Sequence, residues 1–182
     1  VMLHELFHAL QDQYFDLAGT ESRLKNDDQK RALQAVIEGE AMLAVSELMD
    51  YDFLSHARYQ KGISEDSFQK LFNYGEGLRF VKAIREKGGW DAVNHLYTAP
   101  PRSTLTIIRP QRYLENQDRY AYLPNKTKLN RGERLIGLES KGGYGWMLFL
   151  AQNMEGDITT LHSMYKEDQY ITVEREGRIH SK

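Results

Sequence analysis

His4 and His8 stand four residues apart in the opening stretch VMLHELFHALQDQYFDL, with Glu5 directly after the first histidine. Side chains four apart on a helix lie about 40° from one another around its axis, so both imidazoles can address one ion. Glu5 lies about 100° round from His4, close enough to reach a water on that ion without ligating the ion itself. Residue types and spacing describe the zinc-binding helix of a hydrolase: neutral imidazoles for Zn²⁺, and a carboxylate for the proton of the attacking water. The competing reading is an ordinary amphipathic helix that carries two histidines.

A catalytic zinc takes three protein ligands and keeps its fourth position for water. The chain has no cysteine, and after His8 it reads ALQDQYF, so neither a thiolate nor a third histidine a few residues on completes the set. A carboxylate on another helix remains. Glu38 and Glu40, in AVIEGEAML, are acidic residues inside an apolar run, where burial without a partner is costly. They lie about 200° apart on a helix and cannot both face one ion. The structural alternative for either is pairing with Lys30, Arg31 or a buried tyrosine, and it weighs more on Glu40 than on Glu38. Gly39 between them costs about 1 kcal/mol in a helix interior, which makes sense if another backbone packs closely there.

The elements that must position these groups read mostly as helix. Leu3, Leu6, Phe7, Leu10, Tyr14 and Leu17 form a helical stripe over 1–17, a core-facing stripe on the histidines' own helix, ended by Gly19. A polar connection over 19–28 leads to a helix capped by Asp27 or Asp28. Its apolar residues, through RALQAVIEGEAMLAVSELMDYDFL, fall on nearly every face, the pattern of a buried central helix. Ser64 opens a short helical stretch, a second helix starts near Tyr74 and stops at Gly88 and Gly89, and DAVNHLY forms another, closed by Pro100 and Pro101. The stretch to about Arg134 reads as loops with short helices. GGYGWMLFLAQNM reads as a helix, and QYITVEREGRIH as a β-hairpin turning near Glu176 and Gly177. The expected fold class is mainly α, α+β overall, in a single domain over 1–182.

A chain of 182 residues has single-domain length and can bury roughly 70% of its unfolded surface. The formal net charge of −2 leaves no basic footprint for nucleic acid. The longest strongly apolar run, Trp146 to Ala151, falls far short of the ~18 residues of a membrane span. The chain opens on the candidate helix with no start methionine or signal segment, and reads as the C-terminal part of a longer protein.

HELFHALQD resembles the HExxHAxxD helix of thermolysin-like peptidases, and EGEA resembles the EGxA element that supplies the glutamate ligand in aminopeptidase-type gluzincins. NYGEGLRFV resembles the YxxG segment of those aminopeptidases. The longer phrases HALQDQYFDL, GGWDAVNHLYTAPPRST and RPQRY resemble a group of bacterial predicted metallopeptidases, often exported. The likeness runs from Leu3 to about Tyr113. Resemblance to the gluzincin zinc peptidases implies a zincin-like helical catalytic core, completed by a sheet upstream of this chain or by a partner. It implies His4, His8 and Glu38 as zinc ligands, Glu5 as general base, and Tyr74 as donor to the oxyanion of the tetrahedral intermediate. The substrate it implies is a peptide or protein. With no anchor identifiable for a free amine, endopeptidase action is the expectation.

The competing class is a non-catalytic zinc-binding scaffold or a degenerate peptidase kept as a binding module, for which Glu5 would have no use. Asp12 is a candidate outer partner of the site, with solvated helix face as the alternative. Tyr144 is a rival to Tyr74 that reads as core packing. Glu76 and Arg79 could line a cleft beside Tyr74, and Arg102 or Arg109 could hold a substrate carboxylate. His56, His95, His162 and His180 stand alone in sequence and read as surface or core histidines.

Overall fold

The computed structural model describes residues 2–55, 58–117, 129–154, 165, 168 and 170–181. The protein is mainly helical, with a small antiparallel sheet near its C-terminal end. The centre is α3, Asp27–Met49, which Asn26 caps by accepting a hydrogen bond from the Gln29 backbone N–H. Asp27 and Asp28 fall inside its first turn, so neither is the cap the sequence suggested. Ala32, Leu33, Ala35, Val36, Ala41 and Leu43 are buried around its circumference, as expected of a helix enclosed on several sides.

α3 meets α5, Gly77–Thr98, in the most extensive helix contact of the fold. The crossing point is Gly39 on Gly77. A Cβ on Gly39 would overlap the Gly77 carbonyl and stand 2.7 Å from the Leu78 nitrogen, and one on Gly77 would overlap the Ala35 carbonyl. Glycine in the middle of α3 is therefore the condition for two backbones to touch. Ser64 caps α4, Glu65–Leu71, as its sequence suggested, but no break follows. A π-helical turn, Phe72–Glu76, joins α4 directly to α5 and carries Tyr74. Gly89, at φ 66°, bends the long α5 where the sequence placed a stop, and the helix resumes as far as Thr98.

α1, Met2–Phe15, packs on α3, yet most of its apolar stripe does not lie on its inner face. Leu6 is 59% and Tyr14 79% exposed, and Met2, Leu3 and Leu10 are exposed as well. The side turned inward carries His4, Phe7, His8, Gln11 and Phe15, half-buried to buried. α1 also ends earlier than its periodicity suggests. Asp16 adopts a left-handed conformation, and its side chain accepts from the Gly19 N–H, which starts a separate helix α2, Leu17–Ser22. Gly19 lies inside that helix and terminates nothing.

Short helices α6, Thr104–Ile108, and α7, Gln111–Leu114, follow. α8, Gly142–Asn153, closes the core with Tyr144, Met147 and Leu150. The sheet has the order β1 (Arg134–Glu139), β2 (Tyr170–Arg175), β3 (Arg178–Ser181), with Ile171 and Val173 buried among its described side chains. The hairpin turns at Glu176 and Gly177 as its sequence suggested. β1 has no strand signal in its sequence, because a register shift between Leu135 and Gly137 interrupts the period-two alternation.

The starts of α3, α6 and α8 meet at Asp28, which is 4% exposed. Its carboxylate accepts from the Thr104 N–H at 3.3 Å and from the Thr104 hydroxyl, whose oxygen accepts from the Tyr144 N–H at 2.9 Å. Burial raises the Asp28 pKa to about 6 against the opposing hydrogen bonds from Thr104.

Two outcomes follow from this packing. Gly39→Ala should destabilise folding by about 1–3 kcal/mol in urea titrations despite alanine's better helix propensity; unchanged or higher stability would contradict the crossing. Between pH ~4 and ~6 the folded chain keeps the Asp28 proton that the unfolded chain has lost, so stability falls as pH rises through this window. Relative to Asp28→Asn, the wild type should lose about 2–3 kcal/mol from pH 4 to pH 7. Parallel pH profiles for the two proteins would show that the buried carboxyl carries no such shift.

Candidate metal centre

α1 contributes His4 and His8 from adjacent turns of one face, and α3 contributes Glu38, one residue before the glycine crossing. His4 Nε2 lies 3.0 Å from Glu38 Oε2, His8 Nε2 lies 3.2 Å from the same oxygen, and the two Nε2 atoms are 3.0 Å apart. Ligand atoms around a tetrahedral zinc at about 2.0–2.1 Å stand about 3.3–3.4 Å from each other, so the three atoms form a slightly contracted face of such a tetrahedron. All three side chains are largely but not fully buried, at 13%, 23% and 16% exposure for His4, His8 and Glu38. Among the described residues this is the group of His, Asp and Glu side chains whose ligand atoms converge.

Without a cation, these contacts need a proton on at least one of the two Nε2 atoms. Two imidazole nitrogens 3.0 Å apart have room for one proton between them, and a carboxylate oxygen adds a third lone-pair donor at the same point. The second Glu38 oxygen is held by Gln34 Nε2 at 2.9 Å, which leaves Oε2 turned to the histidines. A divalent ion at this point would satisfy all three ligands at once.

Glu40 is placed elsewhere. It is 4% exposed and accepts from the Tyr97 hydroxyl and from Gln11 Nε2, the latter at 2.8 Å. The buried-tyrosine pairing weighed for it is the one observed. Lys30 and Arg31 are not its partners; the Arg31 guanidinium stacks on the Tyr144 ring at 4.5 Å. Between His8 and Glu38 the chain forms the end of α1, then α2 and the first turns of α3.

Tyr74 is carried by the π-helical turn, a distortion that recurs at functional sites. Its ring lies 5.6 Å from the His4 ring at a steep angle and 6.4 Å from that of Phe53. Burial raises the pKa of its hydroxyl, and the negative charges of Glu38 and then Glu5 raise it further. Glu5 itself is exposed. Tyr144 is 3% exposed, its ring edge-on to Phe68 and Phe72, and its hydroxyl has no hydrogen-bond partner among the described residues.

Other candidates serve local structure. Asp12 is exposed and accepts from the Leu17 N–H at 3.3 Å, a helix-end contact and not a bond to either histidine. Glu76 is buried and compensated by Arg79 at 2.7 Å and the Tyr59 hydroxyl at 3.2 Å. Arg109 donates to the Tyr165 carbonyl at 3.0 Å, while Arg102 and His95 line a separate cavity that includes none of His4, His8 and Glu38. His180 is exposed on β3, and His56 and His162 lie outside the described residues. A recess of about 380 Å³ does adjoin His8 and Glu38, lined in part by Leu17, Ala18, Leu33 and Ile37.

Sequence reasoning missed Gln11 and Tyr97. Gln11 had a signal: it follows His8 by three residues and therefore shares its helix face. Tyr97, 86 residues away from Gln11, had none.

Zinc titration against a competing chelator separates the two glutamates. Glu38→Gln should weaken binding by more than ~10²-fold, whereas Glu40→Gln, which removes no ligand atom, should stay within about tenfold of wild type. Release of the ion by Glu40→Gln alone would overturn the arrangement.

Comparison of the chain with family models, with curated proteins and with solved structures finds no match. Any functional conclusion is therefore carried by the residues themselves.

Proposed function

We propose that this chain is a zinc-dependent peptide hydrolase of the gluzincin type, acting on peptide or protein substrates at internal bonds. The observation that carries the proposal is the convergence of His4 Nε2, His8 Nε2 and Glu38 Oε2 within 3.2 Å. Two imidazoles and one carboxylate are a donor set suited to Zn²⁺ with one position left open. A zincin-like core belongs to the same proposal, supported by the HELFH helix lying against the helix that bears Glu38.

When bound, zinc supplies Lewis-acid chemistry, favouring the anionic form of any oxygen it meets. Glu5 adjoins His4 without joining the triangle; it takes the proton of the attacking water and returns it to the leaving amine nitrogen. Tyr74 keeps its hydroxyl proton through neutral pH, because burial and the nearby carboxylates oppose its loss. That hydroxyl donates to the oxyanion as charge develops on the former carbonyl oxygen. The recess beside His8 and Glu38, lined by Leu17, Ala18, Leu33 and Ile37 and equally by Asp12, Glu21, Lys30 and Gln34, offers room for one substrate side chain.

Glu5→Gln should bind zinc as the wild type does, while cleavage of casein or of an N-terminally blocked peptide falls by ~10²–10⁴-fold. Equal cleavage by both proteins would eliminate this mechanism. A zinc-loaded wild type that cleaves nothing would instead favour a non-catalytic zinc scaffold, which uses the same ligands and has no need of Glu5.

Tyr74→Phe removes one hydroxyl without opening a cavity. Zinc content and folding should hold, and kcat should drop by ~10²–10³-fold as for a lost oxyanion donor. Tyr144→Phe removes only an unpartnered hydroxyl, and kcat should be nearly intact. The opposite pattern would assign the role to Tyr144 and leave Tyr74 as packing.

A further inference from the structure

We propose that Gln11 is a positioning residue: its buried side-chain amide holds the His8 proton on Nδ1 and so presents the His8 Nε2 lone pair to the metal position. The orientation of an amide is fixed by what surrounds it. Gln11 Nε2 faces three oxygens: the Ile37 carbonyl at 3.0 Å, Glu40 Oε2 at 2.8 Å and the Tyr97 hydroxyl at 2.9 Å. The carbonyl and the carboxylate can only accept, and the Tyr97 hydroxyl has its own proton committed to Glu40. Reversing the amide would set its oxygen against all three in a dry site, each contact repulsive.

Oε1 therefore faces His8 Nδ1, at 2.7 Å, and accepts from it. A neutral imidazole carries one N–H, so a proton fixed on Nδ1 leaves Nε2 bare. That bare nitrogen is the one pointing at His4 and Glu38. Gln11, Glu40 and Tyr97 are all at most 4% exposed, and Phe15 stacks flat on Tyr97 with ring centroids 4.0 Å apart. Water is kept from competing for the amide, and the buried Glu40 carboxylate anchors the relay. An outer partner of this kind raises metal affinity by removing the wrong tautomer before the ion arrives. The tautomer assignment stands on the metal-free geometry alone; its consequence for affinity rests on the zinc reading.

Two measurements test it. Long-range proton–nitrogen NMR of the metal-free chain, at a pH where imidazole is neutral, reports which His8 nitrogen is protonated, and chelator competition reports zinc affinity. The expected wild-type result is His8 protonated on Nδ1. Gln11→Met, of similar length but at best a weak acceptor, should release the tautomer preference and weaken zinc binding ~10–100-fold. The wild-type tautomer measurement needs no variant, and it provides the test if Gln11→Met does not fold. His8 protonated on Nε2 in the wild type would overturn the proposal. So would a Gln11→Met chain with unchanged tautomer and affinity. A wild type that binds no zinc, yet loses its Nδ1 preference in Gln11→Met, would support the positioning role and refute the metal reading separately.

Discussion

The contact on which the rest depends is the passage of α3 over α5 at Gly39 and Gly77, where neither backbone leaves room for a Cβ on the other. A crossing that close fixes the relative position of everything one turn to either side. Glu38 adjoins it on α3, and the π-helical turn with Tyr74 leads into it on α5. Glu40 and Tyr97 then meet in the interior between the same two helices. Larger residues at the crossing would separate the helices, and with them the groups on which the proposed chemistry rests.

α1 docks onto that pair in an unusual way for an amphipathic helix. Its inner face mixes the polar His4, His8 and Gln11 with Phe7 and with Phe15, which stacks on Tyr97. Such an interface gains less from the hydrophobic effect than an ordinary helix contact, and depends on every polar group finding its partner. Gln11 achieves this by joining His8, Glu40, Tyr97 and the Ile37 carbonyl in one buried set. The triangle of His4, His8 and Glu38 is the part left with more lone pairs than protons, so an ion binding there would also strengthen the docking of α1.

What was legible in the sequence was local or periodic. The four-residue spacing puts the histidines on one face, the phase difference separates Glu38 from Glu40, and a glycine between two glutamates marks a close approach. The Ser64 cap and the hairpin at Glu176 and Gly177 follow from residue types that act on their own backbone, whereas at Gly89 the sequence marks a helix end and the helix only bends. What was not legible depends on distant partners. The stripe of Leu3, Leu6, Leu10 and Tyr14 looks core-facing from periodicity alone, but the partners of the opposite face, Glu38 and Tyr97, lie far along the chain. Asp16 ends α1 by taking a backbone conformation that helical periodicity does not reveal, and Asn26 takes the cap while Asp28 is drawn inward to Thr104. β1 becomes a strand through pairing with β2, across a bulge that hides its alternation.

The central claim is that His4, His8 and Glu38 bind a zinc ion together, and X-ray absorption at the zinc edge of the stoichiometrically loaded chain tests it most directly. The account predicts a first shell of four or five nitrogen and oxygen atoms at about 2.0–2.1 Å, with the outer-shell scattering of two imidazoles and no sulfur. A shell of six oxygens without imidazole scattering would contradict it, because the ion would then be held somewhere other than between α1 and α3.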